Sequence, residues 1–285
     1  VSFATTGGAG NAESYNPAIS DGCRVVFTSL ASNLVADDTN DAADVFLYDC
    51  ADESIQRISV SSAGAQADGG STSYGAAISA DGNYVVFESD ATNLVSGDTN
   101  AATDVFLRDV PAGVTVLVSA DAGSGAADGP SAHPAISGAE GVLDGLHVAF
   151  ESAATDLVAG DTNGQTDVFV FDYDPAAHTG AVARIGAAAD GGSTAPALSD
   201  DGRWVAFQSD GSDLAGGDTT VSTGVVKKNP YEDSGGNYVS SSELTSQWTA
   251  IAESPSSAAS ALALSSLTSA IATRAPFSTS ARVVA

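Results

Sequence analysis

The stretch DTNDAADVFLYD, Asp38 to Asp49, decides the fold because it does not occur once. It returns as DTNAATDVFLRD from Asp98 and as DTNGQTDVFVFD from Asp161, with a decayed copy, DTTVSTGVV, from Asp218. The copies start 60, 63 and 57 residues apart. Upstream of each lies a second block: SDGCRVVFTS from Ser20, SADGNYVVFES from Ser79, LDGLHVAFES from Leu143 and SDDGRWVAFQS from Ser199. Two blocks in fixed order, four times over, mark a repeat, and a repeat is one supersecondary unit that cannot bury its apolar faces alone.

Within the first unit, four short runs rich in Val, Ile and Phe read as strands: NPAIS, RVVFTS, DVFLYD and IQRISV, each bounded by Asp-Gly, Asp-Thr-Asn or Gly-rich turns. Four strands per unit is the pattern of a propeller blade, whose sheet stays apolar on both faces until its neighbours pack on it. The expected fold is therefore all-β, a β-propeller of blades about 60 residues long, four of them clear, with a degenerate fifth as an option. The repeats occupy residues 1–228, and residues 229–285 form a Ser- and Ala-rich C-terminal segment. There GGNYVSSSELTSQWTAIAES aligns with GGSTAPALSDDGRWVAFQSD, which suits a fifth blade, while Leu264, Leu267 and Ile271 at helical spacing suit a docking helix or assembly tail.

The motifs resemble the TolB-type, WD40-like (PD40) family of propeller repeats, whose blades carry a Ser-x-Asp-Gly turn, a VAF-S strand and a DVF-x-x-D strand. The resemblance covers about residues 1 to 228 and implies a propeller; a fold that hosts many unrelated activities implies no single function. The N-terminal VSFATTGGAGNAES aligns with ISVSSAGAQADGGS from Ile58, which makes Val1 to Phe3 part of an outer fourth strand, and the unit opening near Ser193 runs out after its third strand at Lys228. A four-bladed ring closed by the N-terminal strand and a part of a larger propeller both fit this offset.

With 9 Lys and Arg against 36 Asp and Glu the formal charge is −27, which repels phosphate backbones and anionic membrane surfaces, so nucleic acid is not an expected partner. No run of 18 apolar residues exists, so no helical membrane span is expected. All but eight of the acids are Asp, the acid that serves turns and oxygen-rich cation loops.

Each repeated loop before the third strand presents two Asp and an Asn: Asp38, Asn40 and Asp44; Asp98, Asn100 and Asp104; Asp161, Asn163 and Asp167. Calcium takes six to eight oxygens, and an Asp-x-Asn-x-x-x-Asp loop supplies three side chains, with carbonyls and water left to complete the shell. The same residues serve equally as Asx turns that cap backbone N–H groups without any ion. Calcium is the cation expected here, and none is expected in the fourth loop, where Thr220 and Gly224 replace Asn and Asp. The inter-blade loops put Asp68, Asp128 and Asp190 on the same side, giving one acidic face suited to a protein or glycan partner or simply to solvated turns.

Cys23 opens a second strand and Cys50 closes the third, so antiparallel pairing brings the two sulfurs side by side and a disulfide is expected, which suits an exported, extracellular protein. Catalytic signals are sparse. His133, His147 and His178 are isolated, and no Gly-x-Ser-x-Gly, phosphate loop, His-Glu-x-x-His or Cys-x-x-Cys occurs, so no catalytic residue is assigned. The resulting expectation is a non-catalytic, calcium-stabilised extracellular module that binds a partner or joins a cell-surface or filament assembly. The alternative is a secreted hydrolase of glycan or peptide with its centre in the axial channel, and the side chains that line that channel discriminate between the two.

Overall fold

A computed structural model describes residues 2–5, 7–72, 78–138, 146–185, 190–202 and 204–211, and the backbone of 224–228. The chain divides into two compact units, Val1–Asp233 and Ser234–Ala285. The second unit lies outside the described residues, together with the readings placed on it and on Thr220.

Four antiparallel sheets follow one another along the chain. The first has the order β1(Ser14–Ile19), β2(Arg24–Ser29), β3(Asp44–Asp49), β4(Ser54–Arg57), and the second β5(Ser71–Thr72), β6(Tyr84–Ser89), β7(Asp104–Asp109), β8(Val114–Leu117). The third comprises β9(Ser131–Ile136), β10(Leu146–Ser152), β11(Asp167–Asp174), β12(Thr179–Arg184), and the fourth, among the described residues, β13(Ser193–Leu198), β14(Val205–Ser209), β15(Gly224–Lys228). Each strand pairs with the next in sequence, and each sheet packs on its successor through its inner strand. These are the blades of a β-propeller.

Side-chain alternation explains the packing. In blade 2, Val85, Phe87 and Phe106 project toward Val26, Val45 and Leu47 of blade 1, whereas Val86, Val105 and Leu107 on the opposite face meet Phe150, Phe169 and Phe171 of blade 3. Both faces are buried, so the strands read as nearly continuous apolar runs. Each of the first three blades also pairs one Phe of its second strand with one of its third in register: Phe27 with Phe46, Phe87 with Phe106, and Phe150 with Phe169, at ring separations of 5.8, 5.7 and 5.7 Å. Burying one such ring contributes about 1.5–3 kcal/mol.

The Ser-x-Asp-Gly turn is built by its own side chains. Ser79 Oγ donates to Asp81 Oδ1 at 2.6 Å, while Ser79 Oγ and Asp81 Oδ1 accept the N–H groups of Tyr84 and Asn83. Gly82 sits at φ 74°, and a Cβ there would lie 2.9 Å from Arg24 Cδ of the preceding blade. Ser199 and Asp201 repeat the inner bond in blade 4.

Fourth strands are shorter than their sequence suggests. β4 ends at Arg57 because the N–H groups of Ile58 and Ser59 both turn onto Val45 O, and Val118 and Ser119 do the same onto Val105 O. Two residues facing one carbonyl form a β-bulge, which re-aims the side chain that follows. Farther on, the bridges Phe3 to Ala9, Val60 to Gln66 and Ala120 to Ala126 are equivalent, which places the N-terminal residues in register with the end of a fourth strand. In blade 1 Ile19 is 65% exposed, whereas Ile78 and Ile136 at the same position are 7% exposed; Phe27 and Phe46, on the side of blade 1 away from blade 2, are buried all the same. Cys23 and Cys50 form a disulfide across the β2–β3 ladder, just beyond the Arg24–Asp49 pair.

Candidate functional site

The repeated Asp-Thr-Asn loops lie where third strands begin, and Asp44, Asp104 and Asp167 are the first residues of β3, β7 and β11. All three are fully buried. The bulge in the fourth strand points a serine at the first two: Ser59 Oγ donates to Asp44 Oδ1 at 2.5 Å and Ser119 Oγ to Asp104 Oδ1 at 2.7 Å. In every loop the Asn forms an Asx turn, its Oδ1 accepting the N–H of Ala42, Ala102 or Gln165. The amide nitrogen then faces inward. Asn40 Nδ2 donates to Ala67 O, Asn100 Nδ2 to Ala127 O and Asp104 Oδ2, and Asn163 Nδ2 to Asp167 Oδ2.

What differs among the loops is the countercharge. In blade 1, Arg57 Nη2 lies 3.5 Å from Asp38 Oδ1 and Arg57 Nε 3.4 Å from Asp44 Oδ2, with Gln66 Nε2 donating to both carboxylates. In blade 3, Arg184 Nη1 lies 2.7 Å from Asp161 Oδ1 and 3.2 Å from Asp167 Oδ2. These are buried pairs in which the guanidinium offsets the desolvation of two carboxylates. Blade 2 has Leu117 opposite Phe106, where Arg57 stands opposite Phe46 and Arg184 opposite Phe169. Ala126 takes the position of Gln66.

The carboxyl groups respond accordingly. Burial pushes Asp44 and Asp167 above the usual carboxylate range, opposed in Asp44 chiefly by Ser59 and then Arg57, and in Asp167 by Asn163 and then Arg184. Asp104 rises to about 6, because burial is opposed only by the Ser119 and Asn100 hydrogen bonds and Asp98 adds repulsion. Asp98 is raised too, by burial and then by Asp68, against one N–H from Asn100. Among the described residues no three His, Cys, Asp or Glu side chains converge into a metal-holding group.

Asp68 and Asp128 clamp neighbouring blades together. Asp68 accepts the N–H and hydroxyl of Thr92 at 2.7 and 2.9 Å, and Asp128 those of Thr155 at 2.7 Å each. Thr155 holds the Asp128 carboxyl below its ordinary range. Asn11, at the same position before blade 1, donates to Ser32 Oγ.

A second polar constellation lies between the second strands and the inner strands of the blades that follow. Glu88 of β6 accepts the N–H of His133 at 2.7 Å, and Glu151 of β10 accepts that of Ala195 at 2.8 Å, so each carboxylate reaches the inner strand of the next blade. His133 and Ala195 stand at φ 52° on irregular steps of β9 and β13, which is what turns their N–H groups toward the preceding blade. His133 Nδ1 also lies 2.6 Å from Glu151 Oε1. Burial pushes Glu88 upward, the His133 N–H opposes it, and Glu151 and Asp90 add to the rise. Glu88 lines a pocket of about 270 Å³ with Ser71, Thr72, Asp90 and Thr103. The other two histidines sit elsewhere: His147 is buried with its Nδ1 2.8 Å from Asp172 Oδ1, and His178 in the β11–β12 turn lies 2.9 Å from Tyr173 Oη.

Sequence reading passed over Arg57, Arg184, Ser59, Ser119, Glu88 and Glu151. A signal existed for the arginines, since IQRIS and VARIG place Arg where VTVLVS has Leu117. The carboxylates Glu88 and Glu151 had none, because each reaches a backbone N–H group of another repeat.

No family model matches the chain, and no curated protein matches it. Solved structures do. TolB from Acinetobacter baumannii is 15% identical with a TM-score of 0.40, over 76% of this chain and 41% of that one. The TolB structure from Agrobacterium tumefaciens is 18% identical with a TM-score of 0.42, over 70% and 55%. A structure from a study of two prolyl endopeptidases is 14% identical with a TM-score of 0.44, over 78% and 28%. The chain thus spans less than two thirds of each of these proteins.

Proposed function

We propose that this chain is a non-catalytic binding and scaffold module, an extracellular, calcium-stabilised propeller whose acidic loop face meets a protein or glycan. The observation that carries the reading is the engagement of Glu88 and Glu151: both accept a backbone N–H of the following blade, so the inner carboxylates act as inter-blade fasteners. The Asp68 and Asp128 clamps fix the loops of the acidic face in the same manner, and preorganised loops suit recognition. The disulfide fits an oxidising compartment.

The His133–Glu151 contact favours the second reading, a hydrolase of glycan or peptide, because a paired His and carboxylate beside a raised carboxyl is a general acid–base arrangement. One experiment separates the two. The purified chain is immobilised and probed in calcium with an array of neutral and basic glycans and with lysine-rich peptides, and in parallel is incubated with chromogenic glycoside and peptide substrates. Saturable binding that weakens with salt, with no turnover, is the expected result. Turnover abolished by Glu151→Gln would replace the scaffold reading with the hydrolase.

A further inference from the structure

We propose that calcium binds in one of the three described loops, that of blade 2, between Asp98 and Asp104, and that Arg57 and Arg184 do the corresponding work in blades 1 and 3. The proposal rests on the calcium reading above and narrows it to one site.

Three equivalent loops bury the same pair of carboxylates, and two of them cover the pair with a guanidinium. In blade 2 the equivalent residue is Leu117, 9% exposed and packed in the core between blades 1 and 2, and the Gln66 position holds Ala126. Asp98 is 7% exposed, and its Oδ1 is buried with no hydrogen-bond partner. Asp104 receives only two neutral donors, Ser119 Oγ and Asn100 Nδ2. Blade 3 also carries partnerless oxygens, Asp161 Oδ2 and Asp167 Oδ1, but there Arg184 has already supplied a positive charge. Two adjacent buried carboxylates without a cation are unfavourable by several kcal/mol per ion.

Two unmatched charges call for a divalent ion, and an all-oxygen site calls for a hard one, which favours calcium over zinc or copper. With two side-chain carboxylates as protein ligands, main-chain carbonyls and water complete the shell. A site of that kind belongs in the weak range found in extracellular modules, with a Kd on the order of 0.1–1 mM.

The test uses the full chain, stripped with chelator and dialysed, in calcium-45 equilibrium dialysis and thermal unfolding. One ion per chain is expected, with 10 mM calcium shifting the folding equilibrium about ten- to a hundredfold, a Tm rise of about 3–10 °C. Asp98→Asn should abolish binding and the Tm response while leaving the calcium-free Tm at or above that of the wild type, because one of two repelling charges is gone. Leu117→Arg should reproduce the sister loops, with a raised calcium-free Tm and no calcium response; if it does not fold, the Asp98→Asn result decides. Asp38→Asn should leave the calcium response unchanged. Three ions per chain would overturn the single site while leaving a calcium-stabilised module standing. No bound ion, or a response that survives Asp98→Asn, would remove the site itself.

Discussion

Leu117 occupies in blade 2 the position that Arg57 occupies in blade 1, each directly across the ladder from a buried Phe, Phe106 and Phe46. The fold accepts a guanidinium or an isobutyl group at one place because the long arginine stem packs like an aliphatic chain and only its head reaches the loop. The electrostatic state of the loop beneath changes with that choice.

Removing the cation where it exists should be costly. Arg184→Leu strands Asp161 and Asp167, so a loss of about 3–5 kcal/mol is expected. Adding Asp161→Asn to the same chain should recover part of it. Urea unfolding at pH 7 measures both, and a loss below about 1 kcal/mol for Arg184→Leu would show that the pair carries no net weight.

Glu88 gives a pH dependence with a definite sign. Its carboxyl is raised in the folded chain, mainly by burial, with His133, Glu151 and Asp90 around it. A raised carboxyl contributes stability that is complete below the ordinary glutamate range and is lost as pH climbs through the folded value. Glu88→Gln retains an oxygen to accept the His133 N–H and cannot ionise. The Tm of the variant minus that of the wild type should therefore grow over a window that opens near about pH 4 and runs upward through the raised folded value. A difference that stays flat over that window would contradict the reading.

The Cys23–Cys50 disulfide joins residues 27 apart. Closing a loop of that length restricts the unfolded chain by roughly 3–4 kcal/mol. Replacing both cysteines by Ala should lower stability by about that much without changing the far-ultraviolet circular dichroism, because Asn83 and Val110 hold the same positions in blade 2. A double variant as stable as the parent would show that the β2–β3 ladder alone suffices.

Gly69 and Gly129, in the loops that lead from one blade to the next, pack directly on the backbone of the blade they enter. A Cβ on Gly69 would lie 2.8 Å from the backbone of Asp90, and one on Gly129 would lie 2.9 Å from Ala154 N. Gly129→Ala should cost about 1–3 kcal/mol by forcing that backbone apart. It should also loosen the Asp128–Thr155 clamp beside it, read as faster hydrogen exchange at the Thr155 amide. Unchanged exchange there would detach the glycine from the clamp.

The repeat, the strands and the faces they bury were legible along the chain because each is a local property. Asp-Gly and Asp-Thr-Asn mark turns wherever they occur, and the Phe of RVVFTS meets the Phe of DVFLYD through antiparallel register alone. The disulfide was legible for the same reason, since its cysteines end neighbouring strands of one hairpin. The tertiary structure decided everything that passes between repeats or depends on depth. It made Glu88 an acceptor for His133 in the next blade, and it set Arg57 and Arg184 over buried carboxylates while pairing Asp98 and Asp104 with no cation among the described residues. Spacing reports which side chains recur, but the stability of a charge depends on its distance from water and from its counterion, and those distances are set only when the blades pack.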